Sequence, residues 1–255
     1  MNAALKLLET VERGIDFLNE VLVAQLLSTT AVEVLSYSAD IKVVLERLMQ
    51  EKVDWSAPGS VHRVQPEKLA RIIELAQKDV ETGFPIATNQ TLVSVWAGLE
   101  FIVQEVIFST LIAYPEKIDK ISEKLIKIKP SDLVLGSHED RMRLLVSKIE
   151  QAVEGESNQG VQRLETLLRM VGISGPLDLE VRELLNELKE IRNAIVHRAG
   201  IVDKRLHERT PNSGMEVGSP IRISAVACRQ YTSAAMLYAH TVRDRVGEQF
   251  VKLSL

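Results

Sequence analysis

The chain has one cysteine, Cys228, so no disulfide framework within the chain can staple it, and the lone thiol fits a reducing compartment. Its plainest role is a small core residue on the last helix. Aromatic residues are also scarce, at 4%. Packing must therefore come from Leu, Val, Ile and Ala, a balance that favours helices. No stretch of strict apolar–polar alternation is long enough to demand a sheet. There is no glycine-rich phosphate loop, no Gly-x-Ser-x-Gly turn and no paired-cysteine motif, which leaves out the reactions those motifs serve.

Uninterrupted apolar runs are missing as well. The longest, Leu92 to Ala113, is interrupted by Glu100, Gln104 and Glu105, so it reads as a buried central helix rather than a membrane span. The first residues carry Glu9, Glu12 and Asp16 inside an amphipathic pattern, unlike a signal peptide, and the expected location is the cytosol without a membrane partner. His62, His138, His207 and His240 have no metal-ligand spacing. His138-Glu139-Asp140 looks locally metal-like, but a helix start explains it better, and no metal or cofactor is expected.

What remains is a string of helices. The 255 residues, 45% of them hydrophobic, can bury one large or two modest cores. Apolar residues recur at steps of three and four, as in Leu5, Leu8, Val11, Ile15, Leu18 and Leu22, so the fold class is all-α. Pro66 suits a first helical position, Ser137 with Asp140 forms a capping box, and Ser224 can cap a final helix to about Val251. Breaks are expected at Glu154–Gly160, Ile173–Pro176 and Gly200. Joints at Asp54–Val64 and Gly83–Thr91, the latter with a helix starting at Asn-Gln-Thr, divide the chain into residues 1–84, a helical region of unknown role, and residues 85–255. The polar stretch Asp203–Pro220 is expected to form a loop or irregular hairpin.

One constellation looks like chemistry. A long amphipathic helix ends in Glu190-Ile191-Arg192-Asn193-Ala194-Ile195-Val196-His197-Arg198-Ala199-Gly200. A guanidinium can hold a phosphate with two parallel hydrogen bonds, and an imidazole can move a proton near neutral pH. The pair suits phosphodiester cleavage. Net charge is −4 overall, yet Arg192 to Arg245 holds nine basic and four acidic residues, so a +5 segment surrounds the motif while the rest sums to −9. Such a local field suits an RNA backbone, and a solvated face paired with the acidic remainder is the plain alternative.

The string Arg192-Asn193-Ala194-Ile195-Val196-His197 resembles the Arg-Asn-x-x-x-His signature of the HEPN superfamily, all-helical proteins that include metal-independent ribonucleases of bacterial defence and toxin–antitoxin systems. Thr91 to Ile102, with Glu100 in an otherwise apolar helix, resembles the early HEPN helix whose glutamate points at the motif. The resemblance spans about residues 88–252. It implies a multi-helix bundle of HEPN type, a homodimer with the active cleft at its interface, RNA as substrate, and an antitoxin or regulatory protein as a partner. Toxins silenced by a nucleotidyltransferase carry tyrosine two residues after the histidine. Here that residue is Ala199, which argues against that route.

On the motif helix, Val181, Leu184, Leu188, Ile191 and Ile195 form the expected buried stripe. Asn193 and His197, four apart, share a face, whereas Arg192 and His197 are about 140° apart around the axis. Two motif helices across a two-fold axis would bring arginine to histidine. The catalytic candidates are Arg192, to stabilise phosphate charge; His197, as base or acid; Asn193, to orient the imidazole or bind phosphate; and Glu100, to pair with Arg192 or fix a tautomer. Arg198, Lys204 and Arg205 are the substrate-binding candidates. A histidine at a helix C-terminus can also serve the helix dipole alone, and a non-catalytic RNA- or protein-binding module of the same fold is the competing reading.

Overall fold

A computed structural model describes residues 3–36, 66–121, 136–154 and 160–251. The joint at Asp54–Val64, His62 and most of the break at Glu154–Gly160 lie outside them. Eight α-helices stand among the described residues: α1 Ala3–Ser36, α2 Pro66–Glu81, α3 Pro85–Ala113, α4 His138–Glu154, α5 Val161–Met170, α6 Leu179–His197, α7 Lys204–Arg209 and α8 Ala225–Val246. They contain no strand, only an isolated antiparallel bridge between Ile201 and Pro220. The protein is an all-α bundle.

The bundle is organised by α3. Its buried residues include Leu92, Val95, Trp96, Leu99, Ile102, Val103, Val106, Ile107 and Leu111. These cover about half of the helix circumference at 100° per residue, a face broad enough to meet several neighbours, while Phe101 and Ile112 on the other side are exposed. α1, α4, α5, α6 and α8 all pack against it. Its polar interruptions sit where neighbours can answer them. Gln104 donates to Glu150 on α4 at 2.7 Å, and Glu105 pairs with Arg143 at 2.5 Å.

α3 starts at Pro85, four residues before the expected Asn-Gln-Thr start. Proline needs no N–H partner at a first helical position. The preceding helix does the capping: Ile86 N–H donates to the Asp79 carboxylate at 3.3 Å, and Phe84 N–H to the Asp79 carbonyl at 2.7 Å. The capping box at Ser137 forms as expected, with Asp140 Oδ2 accepting from Ser137 N–H and Oγ–H at 2.8 Å each. These bonds to the ionised carboxylate lower the Asp140 pKa. Asp140 is thereby engaged as a cap.

α1 joins the same core through Ala4, Leu7, Val11, Ile15 and Leu18. Leu5 faces solvent instead, because the small Ala4 takes the inward place. Two glycines allow the helices to meet closely: a Cβ at Gly14 would lie 2.1 Å from the Ile102 side chain, and one at Gly98 would lie 2.6 Å from Leu18. Beyond Val21 the apolar side chains of α1 turn outward, and Val23, Leu26 and Leu27 are more than half exposed. By length and composition alone, Ala4–Glu33 and Pro85–Ala113 could each cross a membrane; the second is the core helix just described.

The polar segment after the motif is more ordered than a loop. Asp203 caps the six-residue α7, its Oδ1 accepting from Leu206 N–H at 2.8 Å. The apolar Leu206 is buried and pins the turn. Ser224 caps α8 through Ala227 N–H, and the α-helix ends at Val246 before a π-turn over Gly247–Val251. Cys228 is buried on α8, where Gln25 donates to its sulfur at 3.4 Å; burial pushes its thiol pKa up.

Candidate functional site

α6 begins at Asp178, whose carboxylate accepts from the N–H groups of Glu180 and Val181. Its buried apolar residues are Leu185, Leu188, Ile191 and Ala194, while Val181, Leu184 and Ile195 are only partly covered. The expected stripe is thus displaced. Apolar periodicity gives weight to large side chains, and Ala194 is too small to signal its inward place. Arg192 and Asn193 consequently lie half-buried on the flanks, with His197 exposed at the last helical residue.

The end of α6 is tightly tied. The N–H groups of Arg198 and Gly200 both donate to the Ala194 carbonyl, at 3.0 and 3.1 Å. Ala199, between them, has φ 53°, a left-handed conformation unusual for a residue with a Cβ. Gly200 follows at φ 72° and turns the chain toward the bridge at Ile201.

Two polar centres flank α6. On one side, a cleft of about 290 Å³ is lined by Glu190, Asn193, His197, Arg198, Asp203 and Arg205. Glu190 is buried, and Arg205 holds it with two parallel bonds at 2.9 and 3.0 Å. Arg198 pairs with Asp203. Two of the three substrate-binding candidates therefore border the cleft with their charge matched by a carboxylate. Lys204 points to solvent, 3.8 Å from Glu208.

On the other side, Arg192 turns toward α3. Its Nη2 lies 3.7 Å from Glu100 Oε2, and its Nη1 donates to Asn193 Oδ1 at 3.3 Å. Glu100 faces the motif helix and pairs with Arg192, one of the two arrangements expected of it. It also accepts from Arg163 of α5 at 3.2 Å. Lys189, one helical turn before Arg192, joins the group: burial lowers its pKa, Glu190 and Glu100 favour its charge, and Arg163 and Arg205 oppose it.

Arg192, Asn193 and Glu100 are thus brought together, and Asn193 also borders the His197 cleft. Arg192 and His197 remain on different flanks. Sequence reasoning missed Arg163, Lys189, Glu190 and Asp203. Lys189 could have been found from its i,i+3 spacing to Arg192. Arg163 comes from another helix and leaves no local signal. No group of three or more His, Cys, Asp or Glu among the described residues could hold a metal ion.

The class these elements define is an all-helical bundle with an arginine–asparagine–histidine helix end flanked by two charged centres. No protein-family model, no curated protein and no solved structure matches the chain.

Proposed function

We propose that this protein is a metal-independent endoribonuclease of the HEPN type, acting in the cytosol as a homodimer and serving as a defence or toxin effector. One observation carries the reading. A half-buried arginine, oriented by Asn193 and Glu100, and an exposed histidine end the same helix inside an all-helical bundle.

The reaction needs no group beyond the protein and RNA. The ribose 2′-hydroxyl loses its proton to a neutral His197 and attacks the adjacent phosphorus. The new O2′–P bond forms as the P–O5′ bond breaks, and a protonated His197 from the second protomer gives its proton to the leaving oxygen. The products are a 2′,3′-cyclic phosphate and a 5′-hydroxyl. Arg192 stabilises the charge on the non-bridging oxygens. DNA, without the 2′-hydroxyl, is left intact.

The second protomer answers a geometric need. Within one chain Arg192 faces Glu100 while His197 borders the opposite cleft. A two-fold axis would let the arginine of one copy approach the histidine of the other. Light scattering at micromolar concentration tests this, and a strict monomer counts against it.

Cleavage of a mixed RNA pool in EDTA, with analysis of the product ends, tests the chemistry. Cyclic-phosphate ends from the wild type and none from His197→Ala are expected, with a rate loss on the order of 10²–10⁴ for removing a general acid–base group. The same separation of Arg192 from His197 also favours a second reading, a non-catalytic RNA- or protein-binding module. Intact RNA with both proteins supports that reading.

A further inference from the structure

We propose that the cleft between the start of α3 and the end of α6 is a base pocket, which takes an unstacked adenine from the RNA strand whose phosphate lies at His197. The inference deepens the ribonuclease reading by naming the base, and it rests on that reading for the presence of RNA.

The cleft has a volume of about 650 Å³. Ile86 and Val93 of α3, with Ile195 and Val196 of α6, supply apolar walls, and Asn89, Gln90 and Ser94 stand among them. Ile86 and Val196 are 59% and 48% exposed, so the walls are open to a ligand. Val196 directly precedes His197 and Gly200 follows it by three residues, so the cleft and the histidine share one helix end. A nucleotide held at the histidine can turn its base into the cleft, as single-stranded RNA does when its bases are splayed out for recognition.

Asn89 gives the cleft its specific polarity. Its Oδ1 is buried with no hydrogen-bond partner among the described residues. An acceptor left in that state costs free energy, which a donor on a ligand would recover. The terminal torsion of asparagine is broad, so the amide can turn to meet such a donor. A Cβ at Gly200 would lie 4.0 Å from Asn89 Nδ2, which sets the amide against the end of α6 at a residue with no side chain to crowd it.

The pattern of donors and acceptors selects the base. A carboxamide offers one donor beside one acceptor, the complement of adenine's N7 and N6–H. Guanine shows two acceptors on the same edge, O6 and N7, and would leave Oδ1 without a donor. Cytosine and uracil are single rings and cover less of the apolar walls.

Binding of 2′-O-methyl nonamers of A, C or U, which cannot be cut, is compared by fluorescence anisotropy. The wild type should prefer the A nonamer by about tenfold. Asn89→Leu should bring the three affinities within about twofold of one another, with Tm held or raised because an unpaired buried acceptor is gone. Val196→Ser, at an exposed position with little at stake in folding, should weaken the A nonamer severalfold and the U nonamer less. Equal affinities in the wild type, or an adenine preference that survives both substitutions, overturns the pocket.

Adenosine and guanosine alone, followed by saturation-transfer NMR, read the cleft without RNA. If nothing is cut and no nonamer binds, but the wild type takes adenosine over guanosine and Asn89→Leu does not, the nuclease reading fails and the adenine pocket stands. If RNA is bound or cut without regard to adenine and adenosine does not bind, the pocket fails and the nuclease stands.

Discussion

Two arginine–glutamate centres in this bundle use the same chemistry to opposite ends. Between α8 and α5, Arg245 Nη1 donates to both oxygens of Glu165 at 2.8 and 3.0 Å, and Nη2 donates to the carbonyls of Gly175 and Pro176 at 2.9 and 2.8 Å. Both side chains are nearly closed to solvent, at 8% and 11% exposure. Gly175 has no room for a Cβ, which would lie 2.9 Å from Arg245 Nε. At Glu100, by contrast, Arg163 and Arg192 each make a single approach, at 3.2 and 3.7 Å, and the Glu100 and Arg192 side chains are about a quarter exposed. The sealed pair is scaffold, and the looser, accessible group is the one a ligand can reach.

The largest expected effect comes from breaking the sealed pair. Arg245→Met leaves Glu165 buried without its partner, a loss of roughly 3–5 kcal/mol that should lower Tm by about 10 °C. Adding Glu165→Leu should recover most of it, since an apolar pair of similar bulk avoids the stranded charge. Calorimetry on the two variants checks both statements. Arg192→Gln should cost less than about 1 kcal/mol, because its group is partly solvated, yet should cut RNA affinity and cleavage. Comparable melting losses for Arg192→Gln and Arg245→Met would erase the contrast.

A smaller effect follows from Lys189. Burial lowers its pKa, with repulsion from Arg163 on α5 and Arg205 on α7 acting the same way, and Glu100 on α3 and neighbouring Glu190 acting against. The unfolded chain then binds more protons than the folded one between the lowered value and the ordinary lysine range. Stability from this group therefore rises with pH through that window. RNA affinity should move oppositely, falling as Lys189 loses its charge. Lys189→Arg, which stays protonated, should flatten the affinity profile over the alkaline range; an unchanged profile would mean that Lys189 does not touch RNA.

The sequence made the helices legible because their signals are local. Ser137, Asp140 and Ser224 announce helix starts through bonds within one turn, Pro66 does so by suiting a first helical position, and the apolar run of α3 announces a buried central helix. The pairing of Glu100 with Arg192 was also within reach, since a carboxylate in an apolar helix needs a partner. What escaped depended on small residues and distant partners. Ala4 and Ala194 take inward places without adding to apolar periodicity, so the buried faces of α1 and α6 were misjudged. The pairing of Arg163 with Glu100 spans 63 residues, and that of Arg205 with Glu190 links α6 to a short helix in a stretch whose polar composition suggests a loop or irregular hairpin.

The smallest expected effect tests whether strain beside His197 belongs with the scaffold or with the site. Ala199 adopts φ 53° immediately after Arg198. A residue with a Cβ pays on the order of 1 kcal/mol there, and glycine avoids this but gives up conformational freedom in the unfolded chain. Ala199→Gly should therefore gain about 0.5 kcal/mol, a Tm rise of one or two degrees. Cleavage should not change, because the bonds from Arg198 and Gly200 to the Ala194 carbonyl already fix the helix end that carries His197. A stabilised variant with lower kcat and unaltered KM would mean that the left-handed Ala199 holds the imidazole in place, moving this turn from scaffold to site.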